Sequence, residues 1–594
     1  MSEPPDAPSS PRDPVTFEEA RERLRARGYL DRGVEGAVLK GALAARTRTL
    51  GLLRGAAVAA LLLALALAAV ETVAVSFASS LPARDAAVLF AWLVAGALLA
   101  AAGLVLLLAA FAWLRVRGRS DPSGASTEVA LVFGVLAGVG ALLAARPVLE
   151  AAGPLAALVA FAASTLGVVL AVRVARGLAF TVLATSGRAA FSRAPRPALA
   201  LGTALATLAA GAGVWLLLRR PVPPEEPLVV RAGSARAVLV AVDGWVPGLA
   251  PDGKPLVAGS RLAYRKERRD PAAFFTTVAT GEGARRHGVG SLELVRLDGL
   301  GSPVRLTAGT GWYLGRLLPA LGLAREESVT SAARRVPAIW EVASRGGLAT
   351  LTVNWWTTWP ADASGGVVLG NHLYFAARSG KRLDGEGWPA EAVARAASLA
   401  PRTAPGTGVA RLVADARGLD AFAIAAFRAE GARSRPRLSL LYLPGLDVLG
   451  AALSEPGRPV AERAALAAAL VEETRLVGEL LAGPDVLGSD ADLVAVVLDG
   501  GRTSDAGELL LGGRLAAPDA AGTFRPVDLA PTLLAALGVP ASRETDGRVD
   551  ARLLVEGAPT GATVASWGRK RGREASAIDP REYVESLRSL GYLR

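Results

Sequence analysis

The sequence predicts an α-helical transmembrane bundle followed by a doubly wound α/β domain. Three observations carry that expectation. The chain is 52% hydrophobic with a mean hydropathy of +0.36, more apolar than an ordinary globular domain. Its N-terminal half holds long apolar runs. Its C-terminal half holds three short apolar runs, AVLVAVDG, LSLLYLPGLD and DLVAVVLDGG, each ending on an aspartate: Asp243, Asp447 and Asp499.

The N-terminal runs, roughly 55–78, 86–114, 128–145, 152–175 and 197–218, each reach the ~20 residues a membrane-crossing helix requires. Arg46, Arg48 and Arg54 precede the first, Arg115, Arg117 and Arg119 follow the second, and Arg173, Arg176, Arg188, Arg193 and Arg196 follow the fourth, which marks those ends as cytoplasmic. The predicted organisation is therefore a cytoplasmic tail over 1–50, a membrane domain of about five helices over 51–220, a Pro-rich linker over 221–230 and a folded domain over 231–594. An odd number of spans places the last domain in the periplasm or outside the cell. The protein is then a multi-pass component of the inner membrane, with the lipid bilayer as a partner. Glu71, inside the first run, is a functional-site candidate as an ionisable group there, and reads in preference as a carboxylate near the outer end that reaches water.

The net charge of +12 does not argue for nucleic acid, because the arginines flank apolar runs. The absence of cysteine excludes disulfides, thiolate zinc sites and thiol nucleophiles.

In the C-terminal half, short β-branched runs ending on an acid and a glycine read as buried parallel strands, with GLATLTVN (347–354) and GELLLGG (507–513) as further strands. Segments 461–482 and 529–537 read as amphipathic helices, the latter starting after Asp528, while 376–436 reads as an insertion at the sheet margin. Alternation of such elements predicts a doubly wound sheet, whose ligands sit beyond the carboxyl ends of its strands. Asp243, Asp447 and Asp499 are therefore expected to share one crevice. Trp355, Trp356 and Trp359 with His372 are candidates for a ligand pocket or for core packing. The basic run Arg261, Arg265, Lys266, Arg268 and Arg269 reads as a solvated loop or a contact for anionic headgroups. LRARGYL at 24–30 is repeated as LRSLGYL at 587–593, and the repeat reads as a shared glycine helix stop in preference to a shared binding motif. Thr16 and Glu19 have capping-box spacing for the first of these helices.

Several of these segments together resemble the alkaline phosphatase superfamily, in particular its type I phosphodiesterase/nucleotide pyrophosphatase branch, with a sulfatase-like fold. AVLVAVDGW resembles the family's first strand and first metal aspartate, and FFTTVATGEGARRHGVG (274–290) its threonine-rich segment. PAIWEVASRGGLATLTVNWWTTWPA (337–361) resembles its helix, strand and Trp-Pro turn, and LLYLPGLD, VVLDGG and VDLAPTLLAALGVPASRETDGRV (527–549) follow in the family's order. The resemblance covers nearly all of 235–594.

In that family two zinc-like ions are held by three aspartates and three histidines, with a Thr or Ser nucleophile between them. The resemblance places Asp243, Asp447 and Asp499 at aspartate positions. Ala451 and Gly500 stand where it places histidines, and no histidine follows His372. RKERRDPAAF (265–274), which aligns with the nucleophile stretch, has no Ser, Thr or Cys. Thr276 and Thr277 are the remaining weak nucleophile candidates, and they match a non-nucleophilic pair. His287 matches a structural histidine.

The resemblance thus implies a remnant metal site at Asp243, Asp447 and Asp499, with no cofactor or at most a divalent cation such as Mg, Mn, Ca or Zn. The expected function is that of a catalytically impaired pseudoenzyme binding a phosphate-containing ligand or an envelope protein partner. Two alternatives stand beside it: an active metal-dependent phosphodiesterase or lipid-headgroup phosphotransferase with an all-carboxylate site, and a structural component of an envelope complex.

Overall fold

The computed structural model describes residues 227–594 apart from 232, 247–258, 307–309, 402–405, 483–490, 559–561, 571–580 and 594. In the N-terminal half it describes 19, 22, 23, 26, 64, 65, 68, 69, 71, 72, 75, 76, 79, 81 and 84–99. The chain divides into two compact units, 1–77 with 83–219, and 78–82 with 220–594.

The expectation of a transmembrane bundle, and with it the multi-pass inner-membrane placement, is corrected. Among the described residues no helix is long and apolar enough to cross a membrane. Of the second expected span, 86–114, residues 86–99 are described and are helical. The spans expected at 128–145, 152–175 and 197–218 lie outside the described residues, as does most of 1–50 and 221–226 of the linker. Hydropathy counts residue types, whereas spanning requires one uninterrupted helix. Part of the apolar content is used elsewhere, in strands of the C-terminal unit that are buried on both faces.

That unit begins with β1 (Ala237–Asp243), β2 (Gly259–Arg265), α1 (Pro271–Thr280), β3 (Glu293–Leu297), β4 (Val304–Arg305), β5 (Ala324–Ser328), α2 (Ile339–Arg345), β6 (Thr350–Val353) and β7 (Val367–Leu369). It continues with α3 (Leu373–Arg378), β8 (Gly387–Trp388), α4 (Gly408–Ser434), β9 (Leu438–Leu443), α5 (Gly445–Leu453) and α6 (Val460–Ala482). The last elements named are β10 (Leu493–Asp499), β11 (Ala506–Gly512), α7 (Leu529–Ala536) and α8 (Arg581–Ser589); further helices, Ala390–Ala397 among them, and two short strands, Ala541–Ser542 and Thr563–Val564, lie between the named elements.

Eight strands form one mixed sheet in the order β2-β11-β10-β1-β9-β6-β7-β8. β10, β1, β9, β6 and β7 are parallel to one another, whereas β11 and β8 run antiparallel to their neighbours. Every residue of β1, β9 and β10 is buried, as continuous Val, Leu and Ala runs require when both faces are covered. β2, near the edge, instead alternates strictly between exposed and buried. β1 sits between β9 and β10, so chain crossovers diverge on its two sides, the place where open α/β sheets form their crevice.

The segment 376–436 is not a marginal insertion. Its main element, α4, packs on β6 and β9, and buries Leu419, Ala423, Ala426 and Phe427 at helical spacing. α1 starts where sequence chemistry dictates: Asp270 accepts from Ala273 N at 3.0 Å, Pro271 follows, and Gly281 ends it at φ 69°. Asp528 precedes α7 but does not cap it; its Oδ1 accepts from Arg548 N at 2.8 Å.

Candidate functional site

Asp243 and Asp499 are the last residues of β1 and β10 and face each other in register across the parallel pair. Asp447 reaches the same place differently. The strand expected through LSLLYLPGLD stops at Leu443, and Asp447 lies in the first turn of α5. Two glycines let the three segments close together. A Cβ on Gly244, at φ +85°, would stand 2.1 Å from Asp447 N, and one on Gly501, at φ +73°, would stand 2.5 Å from Asp447 Oδ1. The carboxylates are 1%, 2% and 0% exposed for Asp243, Asp447 and Asp499.

Three buried carboxylates repel, and two internal cations answer them. Lys266 Nζ pairs with Asp499 Oδ1 and donates to Gly501 O at 2.8 Å. Arg502 donates to both oxygens of Asp447, through its backbone N at 2.7 Å to Oδ1 and its Nε at 2.8 Å to Oδ2. Hydroxyls and an amide complete the set. Tyr264 donates to Asp499 Oδ2 at 2.9 Å, Gly501 N to Asp499 Oδ1 at 2.9 Å, and Tyr442 to Asp243 Oδ2 at 2.7 Å.

Two cations leave one negative charge over. Burial, then the charges of Asp447 and Asp499, push the Asp243 carboxyl well above the usual range, so this is the group on which a proton would settle. Burial also raises Asp499, against the opposing pull of Lys266 and the bonds from Tyr264 and Gly501.

Lys266 and Arg502 are the functional residues that sequence reasoning missed. Lys266 was grouped with a surface-exposed basic run, yet its side chain is 1% exposed. The signal was present in β2: Ser260, Leu262 and Tyr264 point inward, and Lys266 continues that period of two, while Arg261 and Arg265 point outward. Arg502 follows the Gly500-Gly501 turn after β10 and carries no comparable mark.

The other candidates lie apart from the carboxylates. Thr276 is fully buried in α1, its hydroxyl unpartnered. Thr277 Oγ1 donates to Ala273 O at 3.1 Å and lies 3.0 Å from His287 Nε2. His287 Nδ1 accepts from Val289 N at 3.1 Å, and burial followed by the charges of Arg334, Arg335, Arg305 and Arg268 drives its pKa down to about 3. It is a neutral, structural histidine. Trp355 Nε1 donates to Phe275 O at 3.1 Å, and Trp359 Nε1 to Glu386 Oε1 at 2.9 Å, where His372 Nδ1 also bonds at 2.8 Å.

Trp356 and His372 do line a cleft, of about 320 Å³ with its open mouth, beyond the carboxyl ends of β6 and β9. The C-terminal segment forms one wall of it. Tyr592 lies edge-on to Trp356 at 5.4 Å and under the Arg502 guanidinium at 4.2 Å, and Arg502 Nη1 donates to Gly591 O at 2.6 Å. Asn371 Nδ2 donates to Tyr583 OH at 2.7 Å, and Tyr583 stacks on Trp359 at 4.7 Å. The aspartate crevice and the tail therefore meet at Arg502, and Tyr442, which bonds Asp243, lines the same cleft as Tyr592.

No protein-family model matches this chain, and no curated protein does. The chemistry of the site rests on its own residues. Both oxygens of Asp447 and of Asp499 are engaged by protein donors, so a divalent cation would enter only by displacing Lys266 and Arg502. The donor set as arranged does not fit a resident metal.

Proposed function

We propose that 231–594 is an alkaline phosphatase-type domain that has exchanged catalysis for binding. The observation that carries this reading is the placement of Lys266 and Arg502 against Asp499 and Asp447. A phosphodiesterase of that type needs an ion to lower the pKa of its nucleophile and another to hold the phosphoryl oxygens. Here an ammonium and a guanidinium neutralise the carboxylates that would hold such ions. They can neither coordinate an alkoxide nor exchange water. Lys266 also comes from RKERRDPAAF, the stretch that the resemblance assigns to the nucleophile.

The ligand this domain suits is a phosphate-containing or otherwise anionic group at the cleft. Arg502 Nη2 is buried and makes no hydrogen bond among the described residues, and it lies beside the aromatic wall of Trp356 and Tyr592. A guanidinium already oriented by a carboxylate is a pre-organised anion receptor.

The test is metal analysis of the intact chain, together with turnover of a chromogenic phosphodiester in Mg, Mn and Zn buffers. The expected result is substoichiometric metal and no turnover that depends on Asp499. Two transition ions bound per chain, or cleavage abolished by Asp499→Ala, overturns the proposal.

A further inference from the structure

Arg502 Nη2 is buried without a hydrogen bond among the described residues, and so is Nε1 of Trp356, a residue 2% exposed. Both groups can only donate, so an acceptor would satisfy them, and beside a guanidinium an anionic one. Neither can meet an anion while it is buried. Tyr592 packs against both side chains, edge-on to Trp356 at 5.4 Å and with its ring 4.2 Å from the Arg502 guanidinium. Gly591 O, a neutral acceptor, takes Arg502 Nη1 at 2.6 Å. The tail formed by α8 and residues 590–593 thus lies over both donors.

That tail can come away as a unit. Gly591, at φ +70°, ends α8, and the N–H groups of Leu590, Gly591 and Tyr592 bond Ser586 O, Arg588 O and Leu587 O at 3.2, 3.0 and 2.9 Å, all within the tail. Release leaves these bonds intact. Side chains hold the tail down: Tyr583, Val584, Leu587, Leu590, Tyr592 and Leu593 are buried, while Glu582 pairs with Lys381 and Arg588 with Glu326, each at 2.9 Å. All four charged side chains are at least 40% exposed, where an ion pair contributes little. A nine-residue helix held in this way opens at a lower free energy than the sheet does.

We infer that the tail is a lid that gives way to the anion received by Arg502: the structure holds the closed state, and a phosphate anion binds only once Gly591 and Tyr592 have moved off the guanidinium. The inference concerns the regulation of the ligand site proposed above and rests on that reading. Because only the open state binds, the apparent affinity is the intrinsic affinity scaled by the open fraction. A substitution that opens the tail without touching Arg502 must then raise affinity by the factor by which it raises opening. Glu326 is such a position, exposed on β5 and paired with Arg588 on the exposed face of α8.

The chain has no cysteine, so one introduced thiol reports on one place. The test follows alkylation of full-length Leu590→Cys by iodoacetamide, with full-length Ala495→Cys, at a position of β10 that is 0% exposed, as the measure of global unfolding. Leu587→Cys is the second tail probe should Leu590→Cys not fold. The tail thiol is expected to react about tenfold faster or more than the β10 thiol, and about threefold faster again when Glu326→Arg is added. Inorganic phosphate, compared with potassium chloride of equal ionic strength, is expected to speed the tail thiol and to slow the β10 thiol, since binding to an open but folded state lowers the unfolded fraction. Isothermal calorimetry on the cysteine-free chain is expected to show phosphate binding tightened by Glu326→Arg by that same factor of about three. Equal reactivity of the two thiols overturns the inference and leaves the anion reading standing, as does phosphate that binds by calorimetry yet leaves the tail thiol no faster than chloride does, or binds no tighter to Glu326→Arg. No phosphate binding even to Glu326→Arg overturns the anion reading, and the inference falls with it.

Discussion

Lys266 and Asp499 form an ion pair inside the C-terminal unit with their side chains 1% and 0% exposed, and the same ammonium bonds the carbonyl of Gly501. Removing one member of such a pair strands the other charge in a medium that cannot solvate it. Lys266→Met is expected to lower unfolding free energy by about 3–5 kcal/mol near pH 8. Asp499 already has its folded pKa raised by burial, and loss of the lysine raises it further. A carboxyl with a raised folded pKa favours the native state below its unfolded pKa and loses that contribution as pH rises. The deficit should therefore shrink towards pH 4.5. Urea unfolding at the two pH values measures it; an equal deficit at both would contradict this account.

Glu282 offers a cleaner pH signature away from the site. It is buried beside Arg286 and accepts from Asp546 N at 3.1 Å, and burial lifts its pKa to about 8 despite the opposing pull of Arg286. Its stabilising contribution is complete below the unfolded value near 4.5 and is lost as pH rises through about 8. Glu282→Gln should flatten the stability profile over that window, by at most about 1.4 kcal/mol per pH unit. Parallel profiles for the two proteins would show that Glu282 does not titrate there.

Gly244 and Gly322 separate steric closure from backbone conformation. Both have positive φ, +85° and +73°, but a Cβ at Gly244 meets Asp447 N at 2.1 Å while one at Gly322 has nothing within 4 Å. Gly322→Ala is expected to cost about 1 kcal/mol, the price of the left-handed conformation alone. Gly244→Ala must push α5 away from β1 and is expected to cost several-fold more, about 3 kcal/mol or above. Thermal unfolding of the pair decides it, and similar losses would mean that the close approach of α5 to β1 is not needed.

Sequence reading recovered the elements with strong periodicity. The strands ending on Asp243 and Asp499 and the helix expected over 461–482 coincide with β1, β10 and α6. It misplaced Asp447, because an apolar run through Pro444 and Gly445 does not reveal where strand gives way to helix. It also set Lys266 outside, since a charge flanked by arginines looks solvated until the alternation of β2 is counted through it. Arg502 and the tail were illegible for another reason. Their meeting is a contact between positions 89 residues apart, and no local pattern encodes it. The bundle expected over 51–220 is not found among the described residues, where no helix is long and apolar enough to cross a membrane; alanine-rich composition alone does not make such a helix.

A crevice whose counterions are amino-acid side chains differs in kind from one filled from solution. Lys266 and Arg502 arrive by strand and turn formation, so their occupancy is complete once the sheet has assembled and has no dissociation constant of its own. On the proposed reading, chelators are expected to extract nothing from this crevice, and the supply of divalent ions to leave its charge state alone. The variable at this place is then the contact that Arg502 makes outward, through Nη1 to Gly591 O and through its guanidinium face to Tyr592.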